Sequence, residues 1–502
     1  GPRAEGGVVV VRSRGPREET GASIHGGSLG LVRGTGDLGI GVGSLQVGGG
    51  ADLRSRDGGF SYQRPLEVGG GTDERGNADL TQTTVRLGAR GRLGGGGFDL
   101  RLSRESLDRG LPGEAFAPSD SARQALERYR GAVSWGADGE RGSVRLSGYG
   151  VWQSLESRDP APPRGRPYAD RSEVAGLGFR GEATRPLEGT PLSLVGLGVD
   201  VDHQEVRADA LEGEGPTSHT DGGLWLRGEV GAGPDRWDAR LAATVRIDRD
   251  DRAGRWRPTH DVTVSMEPGL LTLHASHRSA FSPPTLGDQF FREGVGVRPN
   301  PELRAERVPG EVEVGVSGQG SPGPLRLAGA VTAYRGDVRD MIVWAPDFRF
   351  VWSPRNVDVK RGGGEVWLRL FEPASGTSLS ASISRDRVVY DRPGRDTVQV
   401  RYRPRHGADL RLGWEGDRTR LTLGARYLGT RYPVPAPVNG LSPFWTVDLA
   451  AEHSWRWSDW AVGVDLRVDR LLDRKDSFIF AFPEPGRTIE VGVRLEPTGG
   501  SS

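Results

Sequence analysis

The sequence predicts an all-β chain folded as a transmembrane antiparallel β-barrel of about twenty-two strands. Three observations carry this: a period of two in the hydrophobic pattern, the number and length of the segments that show it, and the alternation of short with long connections. Ala239, Leu241, Ala243, Val245 and Ile247 interleave with Asp238, Arg240, Thr244, Arg246 and Asp248. Val462, Val464, Leu466 and Val468 do the same against Asp465, Arg467 and Asp469, as do Ile489, Val491, Val493 and Leu495 against Glu490 and Arg494. Alternation at about 180° per residue puts one set on each face of a strand. A soluble sandwich turns the aliphatic face inward, whereas a membrane barrel turns it to lipid and its charges to a wet lumen. Periodicity alone fits both.

Number and length decide. About twenty-one such segments lie between Ser23 and Leu495, many of roughly ten to fifteen residues, longer than ordinary globular strands. Tight connections such as Gly231 to Asp235 and Glu415 to Asp417 alternate with long ones. The long ones include Leu107 to Arg123, Asp159 to Asp170, Ala280 to Arg307 and Pro433 to Pro443. That is the barrel pattern of short periplasmic turns and large external loops. Single-chain bacterial barrels have an even strand count, so one more strand is expected near Gly58 to Tyr62. Trp135, Trp152, Trp225, Trp237, Trp414, Tyr427, Trp455, Trp457 and Trp460 fall near segment ends, where aromatic girdles form at the membrane interfaces.

Composition removes competing classes. Only 35% of the 502 residues are hydrophobic and the longest aliphatic run is Val8 to Val11, far short of the roughly 18 to 20 apolar residues of a membrane-spanning helix. The 78 glycines and 34 prolines would suit disorder, but 13 Trp, 14 Phe and 9 Tyr argue for packed strands instead. Basic and acidic residues balance at 67 each and are interspersed, so no nucleic-acid partner is expected. With no cysteine, disulfides and thiolate metal sites are excluded. No fixed-period repeat points to a propeller or solenoid.

Catalytic motifs carry little. Gly26-x-Ser28-x-Gly30 fits a nucleophile elbow and Gly34-x-Gly36-x-x-Gly39 a dinucleotide loop, but neither sits between a strand and a helix, so no enzyme and no catalytic residue is expected. His274 and His277 are three apart and fall on opposite strand faces, where they cannot share a metal. His203 and His219 fall where a long loop is expected, leaving haem capture open to them.

The stretch from His274 to Val314 is the most distinctive. Ser279-x-Phe281-x-x-Pro284-Thr285-Leu286 followed by Asn300-Pro301-Glu302-Leu303-x-x-Glu306-Arg307 resembles the signature that TonB-dependent outer-membrane receptors carry late in their barrel. Asp340 and Ile342, Asp448, Leu472 and Asp473, and Pro485-Gly486-Arg487 follow in the order the family shows. Arg470 stands where the family usually has Asn. Residues 3–12 resemble the last strand of the family's plug, which divides the chain into a plug remnant at 1–15, a barrel at 16–497 and a polar tail at 498–502. The signature residues, Asn300 and Pro301 among them, are expected to set turns and not to bind ligand.

The resemblance implies residence in the outer membrane of a Gram-negative-type bacterium, among its lipids, and high-affinity uptake of a scarce small-molecule nutrient. Cobalamin receptors look most similar, with ferric siderophore receptors close behind. Energy would come through the TonB complex by a plug segment absent from this sequence, and a barrel without that plug would alternatively serve as a passive pore. No resident cofactor is expected beyond calcium: Asp73, Glu74, Asn77 and Asp79 collect hard oxygen donors in an early loop, and the family's cobalamin receptors order comparable loops with that ion. Asp200 and Asp202 form a second, smaller acidic group.

Overall fold

Alternating strands of this length leave both edges open until the first meets the last, and closure removes the unpaired edge that hydrocarbon would not tolerate. The computed structural model of the protein describes residues 20–64, 69–209, 211, 217–232, 237–251, 255–290, 297–347, 351–392, 398–434 and 440–498. Among them one sheet of 22 antiparallel strands closes on itself. The strand Gly21–Gly27 pairs with Leu31–Val42 on one side and with Thr488–Pro497 on the other, so that Ile24 faces both Gly34 and Val493. The expected plug remnant at 1–15 and the tail after Thr498 lie outside the described residues.

The greasy face points outward. Leu412, Leu423, Leu449, Val468 and Ile489 are successive register partners across five strands, one unbroken aliphatic row around the outside. Leu38 is 69% exposed and Leu177 68%, values that make sense only where lipid replaces water. The opposite face carries the charge. Arg33 meets Asp52 at 2.5 Å, Arg128 meets Glu105 at 3.1 Å and Arg246 meets Asp200 at 2.5 Å, all across the lumenal side of the sheet. Mixed-sign side chains in register offset one another there.

Connections sort by end. Gly43–Ser44, Gly94–Gly95, Glu140–Arg141, Gly269–Leu270 and Ser458–Asp459 are two-residue turns at one rim, where Gly21–Gly27 begins and Thr488–Pro497 ends. At the other rim stand the long loops 57–79, 111–122, 283–305, 391–405, 429–443 and 470–487. A cluster of buried apolar residues, Val308, Val338, Val343, Val357, Val359, Tyr390 and Val400, sits at this loop rim.

Two expectations need correction. The strand sought near Gly58 is no stave of the barrel, because Phe60–Gln63 pairs with Thr72–Arg75 in a separate hairpin within loop 57–79. Gly58, at φ 72°, turns the chain out of the wall, and a Cβ there would stand 2.0 Å from the carbonyl oxygen of Ala78. Trp225 is not a girdle residue; its ring lies on the lumenal side against Gly198, where a Cβ would approach it to 2.3 Å. Of the others, Tyr427 packs tilted against Trp445 near the loops, ring centroids 5.2 Å apart, while Trp414, Trp455, Trp457 and Trp460 sit exposed near the turns.

Candidate functional site

The loop rim is where the chain assembles a site. Over one side of the mouth three loops lock together. Tyr62, 1% exposed, donates from its hydroxyl to the Ala115 carbonyl at 3.3 Å; the Ala115 N–H donates to Ala481 O at 2.7 Å; and Lys475 Nζ donates to Ser61 O at 2.9 Å. Arg75 is buried beneath them, its guanidinium donating to the carbonyls of Pro112 and Gly113. Burial pushes the Arg75 pKa below and the Tyr62 pKa above their ordinary values. Loops 57–79, 111–122 and 470–487 are thus joined into a roof by these hydrogen bonds. Buried Arg431 ties in loop 429–443, donating to Gly429 O at 3.0 Å and to Ser477 O at 2.8 Å.

The signature residues build the loops on both sides of the mouth. Thr285 caps the short helix Leu286–Phe290, its Oγ1 accepting from the Asp288 N–H at 3.0 Å, and Phe281 and Pro284 are buried just before it. Asn300 Oδ1 accepts from the Glu302 N–H at 3.1 Å while its Nδ2 donates to Pro354 O at 3.0 Å, which fixes the turn at Pro301. Leu303 is buried, and the Glu306 carboxylate accepts from the Ile342 N–H. Buried Asp340, at φ 58°, takes Arg304 at 2.5 Å and Arg307 at 2.8 Å. In loop 470–487, Asp448 accepts from the Arg470 N–H at 2.8 Å and Asp473 from the Arg487 N–H at 2.7 Å. A Cβ on Gly486 would meet that Asp473 carboxylate at 2.3 Å, and Arg470 Nη1 donates to Pro485 O at 2.7 Å. Leu472 is exposed. Here the signature is loop architecture.

The acidic loop does not converge on a point. Asp79 accepts from Arg123 at 2.8 and 3.2 Å, and that bond holds its carboxyl below the ordinary aspartate range. Asn77 spends its Nδ2 on Ser119 O and Ala122 O, at 2.9 and 2.8 Å. Asp73 faces Arg64 at 3.6 Å, and Glu74 lies next to it in the hairpin. These side chains do not fit calcium as they stand, since a hard cation needs six to eight converging oxygens. Among the described residues no three His, Asp or Glu groups are placed to hold a metal. Asp200 is taken by Arg246 and Asp202 accepts from Gln204 at 3.0 Å.

Ser28 stands in a turn between two strands, its Oγ accepting from the Ile489 N–H at 2.9 Å, and Gly34, Gly36 and Gly39 lie inside one strand. His203 and His219 are strand residues, not loop residues; His203 bonds Thr220 at 2.8 Å and His219 is buried beside Asp251. His274 and His277 do part to opposite faces, the first toward Glu313 at 3.6 Å and the second toward His260 at 2.7 Å.

Sequence reasoning missed the wall under the roof. Arg54 and Arg56 project from the lumenal face at the end of Leu45–Arg56, and Arg109 from the end of Gly96–Gly110, with Leu80 as the register partner between Arg56 and Arg109. The only available signal was Arg-x-Arg in a strand that ends at a long loop.

The barrel half of this picture matches a known family. Residues 25–469 fit the family described as "TonB dependent receptor-like, beta-barrel". The chain belongs to the TonB-dependent receptors. That places the receptor in the Gram-negative outer membrane, with the turns at the periplasmic rim and the roofed loops outside, and in a family of receptors and transporters, not enzymes. It is 25% identical over 226 residues to the vitamin B12 transporter BtuB of Photobacterium profundum, a match covering 43% of this chain and 34% of that protein. The match therefore spans about a third of that relative's length. The fold is similar to the copper transporter OprC, with a TM-score of 0.73 at 16% identity over 95% of this chain and 80% of that one. It is equally similar to a mutant ferric enterobactin receptor of Pseudomonas aeruginosa in complex with enterobactin, with a TM-score of 0.73 at 16% identity over 99% and 84%.

Proposed function

We propose that this chain is the barrel of a receptor for high-affinity uptake of a scarce nutrient, a cobalamin or a ferric siderophore, across the outer membrane, energised through TonB. The observation that carries the reading is a closed 22-stranded wall in a chain of this family. A barrel of that strand number is too wide to fill with its own side chains, so its lumen serves passage and is gated by something other than the wall. The roofed loops capture the ligand, a plug outside these residues changes shape, and the TonB complex draws on proton-motive force. The B12 transporter among its relatives and the ferric enterobactin receptor among its structural neighbours keep both ligand classes in the proposal.

The test is uptake by cells whose own receptors have been deleted and which express this gene product. Accumulation of radiolabelled cyanocobalamin or of a radio-iron siderophore that stops when TonB is removed is the expected result. Steady large conductance in planar bilayers, with entry that ignores TonB and follows solute size, would establish the passive pore instead.

A further inference from the structure

Above its aliphatic band the outer face of the barrel turns polar, and it does so differently on two arcs of the ring. On the arc from Gly96–Gly110 to Leu192–Ala208 the outward charge is mixed: Arg104 meets Glu127 at 3.4 Å, Arg171 meets Glu173 at 2.7 Å and Arg207 meets Glu205 at 2.8 Å. The arc from Arg326–Pro346 to Thr377–Tyr390 is basic. Val331, Val366, Ile383, Ala408 and Tyr427 are successive register partners on the outside, a row that ends at the aromatic residue of the outer interface. Two residues nearer the loops on the same face, Arg385 lies between Gly364 and His406, and two nearer again, Gly362 lies between Arg335 and Arg387. All three arginines are exposed, and neither Arg335 nor Arg385 meets a carboxylate among the described residues. The carboxylates above them are taken: Asp337 and Asp358 by Arg339, at 3.7 and 3.2 Å, and Asp391 by Lys360 at 2.6 Å. Asp386 points the other way, where it accepts from the Tyr334 hydroxyl at 2.6 Å. A strand spacing of about 4.8 Å puts the Cα atoms of Arg335 and Arg387 roughly 10 Å apart, with no side chain on Gly362 between them. An open cationic cradle thus rests directly on the hydrocarbon band.

We propose that this arc is a docking surface for the phosphate-bearing headgroup of an outer-leaflet lipid, whose acyl chains lie along the row from Val331 to Ile383 while its phosphates engage Arg335, Arg385 and Arg387. Position selects the occupant. The arginines stand one and two steps above an interfacial aromatic, at headgroup depth, and the face beneath them is apolar: Val331 is 49% exposed, Val366 50% and Ile383 64%. A free anion would satisfy the arginines and leave that aliphatic row without a part. Guanidinium suits phosphate because its forked donors pair two anionic oxygens at once and it stays charged at physiological pH. The lumen and whatever fills it lie on the far side of the wall, so the inference holds for any nutrient the receptor carries.

The probe is diphosphoryl lipid A, titrated into the full chain in nonionic detergent, with bound lipid counted by native mass spectrometry. Its fully dephosphorylated form and inorganic phosphate are the comparisons. The phosphorylated lipid is expected to bind at least about tenfold more tightly than the dephosphorylated one. Replacing the three residues, as Arg335→Gln, Arg385→Gln and Arg387→Gln, is expected to weaken it about fivefold for each charge removed, on the order of a hundredfold in all. The corresponding lysine triple keeps most of the binding. Glutamine at Arg104, Arg171 and Arg207, on the mixed arc, leaves it within about twofold. Heat-modifiable gel mobility verifies that each barrel is folded. Equal losses from the two glutamine triples, binding that ignores the phosphates, or displacement by millimolar inorganic phosphate at constant ionic strength overturns the proposal. Should the first triple not fold, Arg335→Gln alone decides: binding about fivefold weaker supports the surface, and unchanged binding overturns it.

Discussion

The two sides of the lumen treat charge differently. On the side built from Glu306–Gly320, Arg326–Pro346 and Trp352–Glu372, every buried charge is answered: Glu311, with its side chain 3% exposed, takes both Arg278 and Arg361 at 2.6 Å, and Asp340 takes Arg304 and Arg307. On the side under the roof, Arg54, Arg56 and Arg109 are left over. Satisfied charge fixes where strands and loops lie, whereas unsatisfied charge is retained at a cost to stability. Such charge can be answered only by what fills the lumen, the proposed plug included.

The contrast breaks most visibly at Glu311. Glu311→Ala would leave two guanidinium groups without their carboxylate, and a loss of about 3–5 kcal/mol is expected by urea unfolding in lipid vesicles. A loss below about 1 kcal/mol would show that this wall is not held by its ion pairs. Gly58→Ala comes next, because the roof starts from its left-handed turn and a Cβ there meets Ala78 O at 2.0 Å. About 1–3 kcal/mol of strain is expected, read as faster proteolysis of loops 57–79 and 111–122.

A smaller effect lies in the acid range. Arg123 holds the Asp79 carboxyl below its ordinary value of about 3.9, so the pair contributes at pH above that value and loses its contribution as pH falls through the lowered one. Acid-induced loosening of the roof, followed by tryptophan fluorescence, is therefore expected to be muted in Asp79→Asn. The smallest change is predicted on the unpaired wall. Arg56→Gln removes no ion pair and relieves repulsion from its neighbours, so stability should stay within about 0.5 kcal/mol or rise slightly, in contrast to Glu311→Ala. A large destabilisation by Arg56→Gln would erase the difference between the walls.

Much of the fold was legible because a period of two is a local property. The alternation through 238–248 or 489–495 assigns faces without knowledge of any partner strand, and the lengths of the connections give the polarity of the barrel. The signature loops were legible as turns because Asn300, Pro301 and Gly486 act on their immediate neighbours. What stayed hidden needed distant partners. The grouping of Asp73, Glu74, Asn77 and Asp79 reads as a calcium loop until Arg123 and the carbonyls of Ser119 and Ala122, more than forty positions away, are seen to occupy Asp79 and Asn77. The arginine wall has no motif at all, since its members come from two strands with a third between them.

The place where the ring is sewn shut has a consequence of its own. Gly21–Gly27, seven residues with three glycines, is the shortest stave, and it joins the last one across a separation of 461 positions at the bond from the Ile489 N–H to Ser28. Bringing such remote ends together costs more chain entropy than any neighbouring hairpin, and the fewest ladder bonds are there to repay it. The cylinder accordingly zips up last and frays first along this line, and backbone amides of Ala22 to Gly27 should trade their hydrogens for deuterium sooner than those of any longer stave.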